Sequence, residues 1–148
     1  MEDLSLHVLD IAENATRAGA RNVLIEIAAA DARLTVAVKD DGKGMDARTS
    51  QRASDPFYTT KEGKRVGLGL AMLAQSARET GGGVRIDSQY GVGTEVAAVF
   101  RPEHPDMRPL GDLMATMKAL VAAFPAVRFV LDYTKEGEHY HFDSAKTP

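Results

Sequence analysis

Apolar residues recur at helical spacing over residues 4–18, where Leu4, Val8, Leu9, Ile11, Ala12, Ala15 and Ala18 share one side, with Asp3 at the N-cap position and Gly19 at the stop. This spacing predicts a helix. Residues 23–29 and 34–39 instead alternate or run apolar around the polar link AADAR, which predicts a hairpin of two strands. Periodicity lapses over residues 40–66, which hold Gly42, Gly44, Pro56 and Gly63, and a loop of that length in a compact domain is usually functional or disordered. Leu70, Leu73, Ala74 and Ala77 restore a helical face over residues 68–80, TGGG ends it, and residues 84–88 and 95–100 form a second hairpin around QYGVGT. The three prolines of RPEHPDMRP predict an extended connector over residues 101–109. Beyond it Leu110, Leu113, Met114, Met117, Leu120, Val121 and Phe124 predict an amphipathic helix opened by Asp112, and VRFVLDY and EHYHFD around TKEG predict a third hairpin. Helices and antiparallel hairpins in alternating blocks predict an α+β, two-layer sandwich: a mixed, mostly antiparallel sheet covered by helices on one face.

Composition narrows the function classes. The 148 residues, 44% hydrophobic and 26% charged, suit one globular domain that needs no disulfide or structural metal to fold. The net charge is −3 and the Lys and Arg residues are scattered, so the basic face that nucleic acid requires is not expected. With no cysteine, disulfides, thiolate catalysis and cysteine zinc sites are excluded. No apolar run reaches the roughly 18 residues of a membrane span, and MEDLSLHVLD is acidic and amphipathic, unlike a signal peptide, so no membrane association and a cytoplasmic location are expected.

Several polar constellations interrupt the apolar pattern. VKDDGKGMD sets Asp40 and Asp41 before Gly42 and Gly44 at the end of a predicted strand; a turn is the plain reading. On the first helix His7, Asp10, Asn14 and Arg17 follow one another at spacings that form a polar stripe, which taken alone reads as a solvated face. Asn is a poor helix former with no cap role at position 14, however, and its amide oxygen is a hard ligand suited to Mg²⁺, while Asp10 one turn earlier could activate a water or hydroxyl beside that ion. RVGLGLAML places Gly67 and Gly69 at a helix start, where unsatisfied amides favour a phosphate; alone, such a pair is a weak signal. DPFYTTK supplies Thr59, Thr60 and Lys61, hydroxyls and a cation in the long loop. His139 and His141 share a face of the last strand, a pair that could bind metal but without a third ligand reads as ordinary surface.

Taken in order, these stretches resemble the ATP-binding domain of the GHKL superfamily, shared by DNA gyrase, mismatch-repair ATPases, heat-shock chaperones, sensor histidine kinases and anti-sigma-factor serine kinases. LDIAENATRAGA resembles the N box, DDGKGM the first glycine box, DPFYTTK the F box, VGLGLAM the second glycine box and GVGTEVAAVF the closing strand, together covering residues 4–100. The resemblance implies a Bergerat-type fold that binds ATP with Mg²⁺. By it Asn14 holds the metal against the phosphates, Arg17 contacts phosphate, and Asp40 accepts the adenine amino hydrogen with the help of Thr94. Gly42 and Gly44 let the backbone fold round the base, Thr59, Thr60 and Lys61 belong to a lid, and Gly67, Leu68 and Gly69 face the phosphates. Ala18, Met45 and Val66, within or beside these boxes, join the nucleotide-contacting positions.

The chain departs from the pattern at position 10, where the hydrolysing relatives have glutamate and this chain has the shorter Asp10, and at Arg65, which replaces the first glycine of its box. With few residues before the N box, a kinase acting on its own histidine is disfavoured. The resemblance implies an unidentified protein partner that accepts the phosphoryl group, with Asp10 as the catalytic residue; an ATP-dependent binding module and an interaction protein whose glycines are only turns are the alternatives. Residues 110–143 are expected to pack on the core, and dimerisation through them is the rival expectation.

Overall fold

A computed structural model describes residues 3–44 and 68–146. In chain order the elements are α1 (Leu4–Arg17), β1 (Asn22–Ala30), β2 (Arg33–Asp40), α2 (Leu68–Glu79), β3 (Gly83–Gln89), β4 (Gly93–Phe100), α3 (Leu113–Ala123), β5 (Arg128–Lys135) and β6 (Glu138–Asp143), followed by a 3₁₀ turn at Ser144–Lys146. Among the described residues the strands form one six-stranded sheet in the order β3-β4-β2-β1-β5-β6. Four neighbouring pairs are antiparallel and the β1–β5 pair is parallel, which makes the α+β class with a mixed, mostly antiparallel sheet a property of the chain.

Alternation along the strands sorts the two faces. Val23, Ile25 and Ile27 of β1, Leu34, Val36 and Val38 of β2, and Val96, Ala98 and Phe100 of β4 are buried, and the register aligns them in rows such as Ile25, Val38 and Val96. Helices α1, α2 and α3 cover that face with Val8 and Ile11, Leu70 and Leu73, and Met117 and Leu120. Burying one such side chain is worth about 1.5–3 kcal/mol, so a register slip that turned a whole row outward would be costly. On the opposite face Lys39 Nζ lies 2.7 Å from Glu26 Oε1 and 4.0 Å from Glu95 Oε1. Among the described residues no helix is long and apolar enough to cross a membrane.

The hairpins close with left-handed residues that match strand twist. Asp31 and Ala32 (φ 53° and 60°) join β1 to β2, and Glu136 and Gly137 (φ 52° and 82°) join β5 to β6. Ala32 carries a methyl group in a conformation that costs a non-glycine residue about 1–2 kcal/mol.

The start of α1 differs from the expected cap. Asp3 does stand at the N-cap, yet its carboxylate accepts from Ser5 Oγ (2.6 Å) and makes no cap bond to the backbone. Instead the Leu4 N–H donates to the Pro109 carbonyl (2.9 Å) and the Ser5 N–H to the Leu110 carbonyl (2.8 Å). The proline-rich connector has no regular partner for its own carbonyls, and it supplies them to the orphan amides of the helix. At the other end of the sheet Arg128 Nε and Nη2 donate to the two oxygens of the buried Asp143 (3.0 and 2.5 Å), joining the start of β5 to the end of β6.

Candidate functional site

Asp40 is the last residue of β2 and pairs with Thr94 of β4 on one side and Val23 of β1 on the other. It lies two residues beyond Val38, so it shares the helix-facing side of the sheet but sits past the last apolar row, half-buried. Its Oδ1 accepts the Gly42 N–H at 2.8 Å, and Oδ2 accepts no hydrogen bond among the described residues. Burial pushes the Asp40 carboxyl above its ordinary range, the Gly42 bond opposes that, and the neighbouring Asp41 charge adds to it. The result is a fixed, partly desolvated acceptor.

Gly42 and Gly44 are required for different reasons. A Cβ on Gly42 would lie 2.9 Å from Asp40 Oδ1 and 3.2 Å from the Ala18 carbonyl, so only glycine lets the chain pass between the end of α1 and the end of β2. Gly44 has φ +72°, and a Cβ there would collide with the Gln89 carbonyl. Lys43 fastens the same stretch, its N–H donating to the Ala18 carbonyl (3.0 Å) and its carbonyl accepting from the Gly91 N–H (2.6 Å).

Asp41 faces away from this seat. Its Oδ1 accepts from the Arg21 and Asn22 backbone amides (2.8 and 2.9 Å) and its Oδ2 from Asn22 Nδ2 (2.8 Å), which ties the end of β2 to the turn between α1 and β1. Slight burial pushes its carboxyl up, but the hydrogen bonds from Asn22 and Arg21 together hold it below the ordinary value.

The polar stripe of α1 is not a solvated face. His7 is buried, Asp10 and Asn14 are half-buried and only Arg17 is exposed, because α2 packs along α1. The Gly69 N–H donates to Asp10 Oδ2 at 2.8 Å, and a Cβ on Gly69 would collide with that carboxylate. Asp10 therefore caps the first turn of α2 from a neighbouring helix. Arg17 pairs with Glu13 Oε2 (3.3 Å), and its Nη1 makes a long bond to Asn14 Oδ1 (3.4 Å).

The structure brings Asp40, Gly42, Gly44, Thr94 and Ala18 together at the C-terminal end of α1, and Asp10 with Gly69 nearer its other end, with Asn14 between. Ala18 takes part through its carbonyl. Leu68 opens α2, and Met45, Thr59, Thr60, Lys61, Val66 and Gly67 lie outside the described residues. A single neutral protein oxygen, Asn14 Oδ1, fits a Mg²⁺ that keeps several waters and takes its remaining ligands from substrate phosphates. His139 Nε2 and His141 Nδ1 instead both meet Asp132 Oδ1 (3.0 and 2.6 Å) on the far face of the sheet.

Reading from the sequence missed Ser88 and Gly93. Ser88 Oγ lies 2.8 Å from Thr94 Oγ1, and a Cβ on Gly93 would collide with the Asp40 carbonyl; the spacing of QYGVGT signals a turn and gives no hint of either contact.

Comparison with known proteins bears on this arrangement. The family model described as histidine kinase-, DNA gyrase B-, and HSP90-like ATPase matches residues 2–104. The chain is 45% identical over 58 residues to the sensor kinase CckA of Brucella abortus, covering 38% of this chain and 6% of that protein. It is 35% identical over 78 residues to sporulation kinase C of Bacillus subtilis, covering 53% of this chain and 18% of the relative, so the match spans less than a fifth of either kinase. The crystal structure of the N-terminal domain of a DNA repair protein superposes with a TM-score of 0.57 at 14% identity, over 95% of this chain and 52% of the other, a likeness of fold. The chain belongs to the histidine kinase-, DNA gyrase B- and HSP90-like ATPase family.

Proposed function

We propose that this chain binds Mg²⁺-ATP and passes the γ-phosphoryl group to a protein partner. The observation that carries the reading is the continuous track along α1: Asp40 and Gly42 at the Ala18 end, Asn14 in the middle, and Asp10 with the start of α2 at the far end. From Asp10 to Ala18 the helix rises about 12 Å, at about 1.5 Å per residue, a span suited to a nucleoside triphosphate. The similarity to CckA and sporulation kinase C supports a kinase rather than a hydrolase.

On this reading Asp40 accepts a hydrogen from the adenine amino group, a contact that a purine carbonyl would repel. Asn14 holds the Mg²⁺, which neutralises phosphate charge. The first turn of α2 presents backbone amides to the triphosphate, and Asp10, steered by the Gly69 amide through Oδ2, keeps Oδ1 to orient the acceptor.

A second reading has one observation in its favour. Asp10 already caps α2, so it could serve only to hold that helix while ATP orders a partner-binding surface. Incubation of the protein with γ-labelled ATP and a native lysate separates the two. Transfer requires a labelled partner that disappears with Asp10→Asn while ATP affinity persists. A partner that binds Asp10→Asn normally and is never labelled selects the binding module, and a wild-type protein with no saturable ATP binding ends both readings.

A further inference from the structure

We infer that residues 108–111, the last part of the proline-rich connector and the turn after it, form a strap that sets the gap between α1 and the start of α2, with Gly111 as the positioning residue on which its fit depends. This rests on the Mg²⁺-ATP reading above and assigns to that site a stretch of the chain beyond the residues 2–104 that the family model matches.

The strap touches both helices at the end remote from the candidate phosphate track. Arg108 Nη2 lies 3.8 Å from Oε1 of Glu79, the last residue of α2. The next two carbonyls, of Pro109 and Leu110, accept the Leu4 and Ser5 amides at the start of α1 (2.9 and 2.8 Å). Further along α1, Asp10 Oδ2 accepts the amide of Gly69 in the first turn of α2 (2.8 Å). The two helices therefore run in opposite directions, joined by the strap at one end and by Asp10 and Gly69 at the other. Gly111 fits closely against α1. Its φ is +91°, and a Cβ there would collide with Ser5 Oγ and the Asp3 carboxylate. Those side chains are not free to swing aside, since Ser5 is buried and its Oγ donates to Asp3 Oδ1 at 2.6 Å. A methyl group at position 111 thus pushes the connector off the start of α1.

The other end of α1 is anchored separately. The Ala18 carbonyl accepts the Lys43 amide (3.0 Å), and beyond it Arg21 donates its N–H to Asp41 Oδ1 (2.8 Å) and accepts the Arg128 N–H at its carbonyl (2.8 Å). Release of the start therefore tilts α1 about its anchored end. By helical rise Leu4 lies about 21 Å from Ala18 and Asp10 about 12 Å, so Asp10 moves by roughly half the displacement of Leu4 and Ala18 hardly at all. The tilt changes the gap between Asn14, which on this reading holds the metal, and the amides that open α2. The adenine seat formed by Asp40, Gly42 and the Ala18 carbonyl keeps its shape. Binding is lost at the phosphates and not at the base.

The test is titration of Mg²⁺-ATP and of adenosine into wild type, Gly111→Ala, Arg108→Glu and the exchanged pair Arg108→Glu with Glu79→Arg, with thermal denaturation to show which variants are folded. Gly111→Ala is expected to weaken Mg²⁺-ATP binding by about three- to tenfold while adenosine stays within about twofold of wild type. A partly exposed ion pair contributes less, so Arg108→Glu is expected to weaken Mg²⁺-ATP by about two- to fourfold, and the exchanged pair to recover most of that loss. A folded Gly111→Ala protein that binds Mg²⁺-ATP as wild type does, or that loses Mg²⁺-ATP and adenosine in proportion, would show the strap to be a support of the fold alone and overturn the inference. If Gly111→Ala does not fold, the arginine decides: unchanged Mg²⁺-ATP binding in Arg108→Glu, or a loss that Glu79→Arg does not recover, overturns it. Wild-type protein that binds Mg²⁺-ATP while the variants keep the wild-type ratio leaves the proposed function standing; wild-type protein that binds neither ligand overturns both.

Discussion

The helix-facing end of β2 and the turn behind it are built from neighbouring carboxylates put to opposite uses. Asp40 is half-buried, takes one hydrogen bond from Gly42, and is pushed above the ordinary carboxylate range. Asp41 is exposed, takes three hydrogen bonds from Arg21 and Asn22, and is held below that range. One acid keeps an oxygen open toward the seat at a cost in desolvation; the other spends both oxygens fastening the α1–β1 turn. The pleat explains the division, since successive residues at a strand end point to opposite sides. The partly desolvated acceptor therefore lies on the helix side, and structural support on the other.

The sharpest way to break this comparison is at Asp40. Asp40→Asn keeps the shape but turns an acceptor into a partial donor, and is expected to weaken ATP binding by at least about tenfold, read by titration. Gly44→Ala should follow, because a side chain at φ +72° is strained and collides with the Gln89 carbonyl; we expect a stability loss of more than about 1 kcal/mol in urea unfolding, with severalfold weaker ATP binding. Asp41→Asn should leave ATP affinity within about threefold and lower stability by about 1 kcal/mol, a figure reduced for the exposure of the site.

The pH profile sharpens the same contrast. Because the Asp41 carboxyl is depressed in the folded state, its contribution is present above the unfolded value and is lost as pH falls through the folded one. Asp40 has the opposite sign: the folded state favours its proton, so stability declines as pH rises from the unfolded value through the raised folded one. Denaturation temperature measured across the acid range should therefore lose its low-pH rise in Asp41→Asn and its decline above that in Asp40→Asn. Ala32→Gly, remote from both acids, should raise stability by roughly 0.5–1 kcal/mol by relieving a left-handed alanine, with no change in ATP binding.

Much of this was legible in the chain, for identifiable reasons. Helices and strands follow from local periodicity, so α1, α2 and the three hairpins could be read from spacing alone. Asp40 stood out through the order of the glycine and asparagine boxes around it. The contacts that give each residue its role were not legible, because they join distant segments. Nothing in the turn reading of VKDDGKGMD pairs Asp41 with Arg21 and Asn22, and α1 is capped by the carbonyls of Pro109 and Leu110 rather than by the adjacent Asp3. Asp10 reads as a base from its position in the N box, yet what it holds is the amide of Gly69, 59 residues further along the chain. The pattern announces β5 as a strand but gives no sign that it will run parallel to β1.

The central claim, that the helix-facing acid seats the adenine and its neighbour only supports the turn, is tested most directly by titrating Mg²⁺-ATP into Asp40→Asn and Asp41→Asn side by side. The account predicts a dissociation constant at least about tenfold larger for Asp40→Asn than for Asp41→Asn. Equal constants, both close to wild type, would contradict it and return the two acids to the role of a turn.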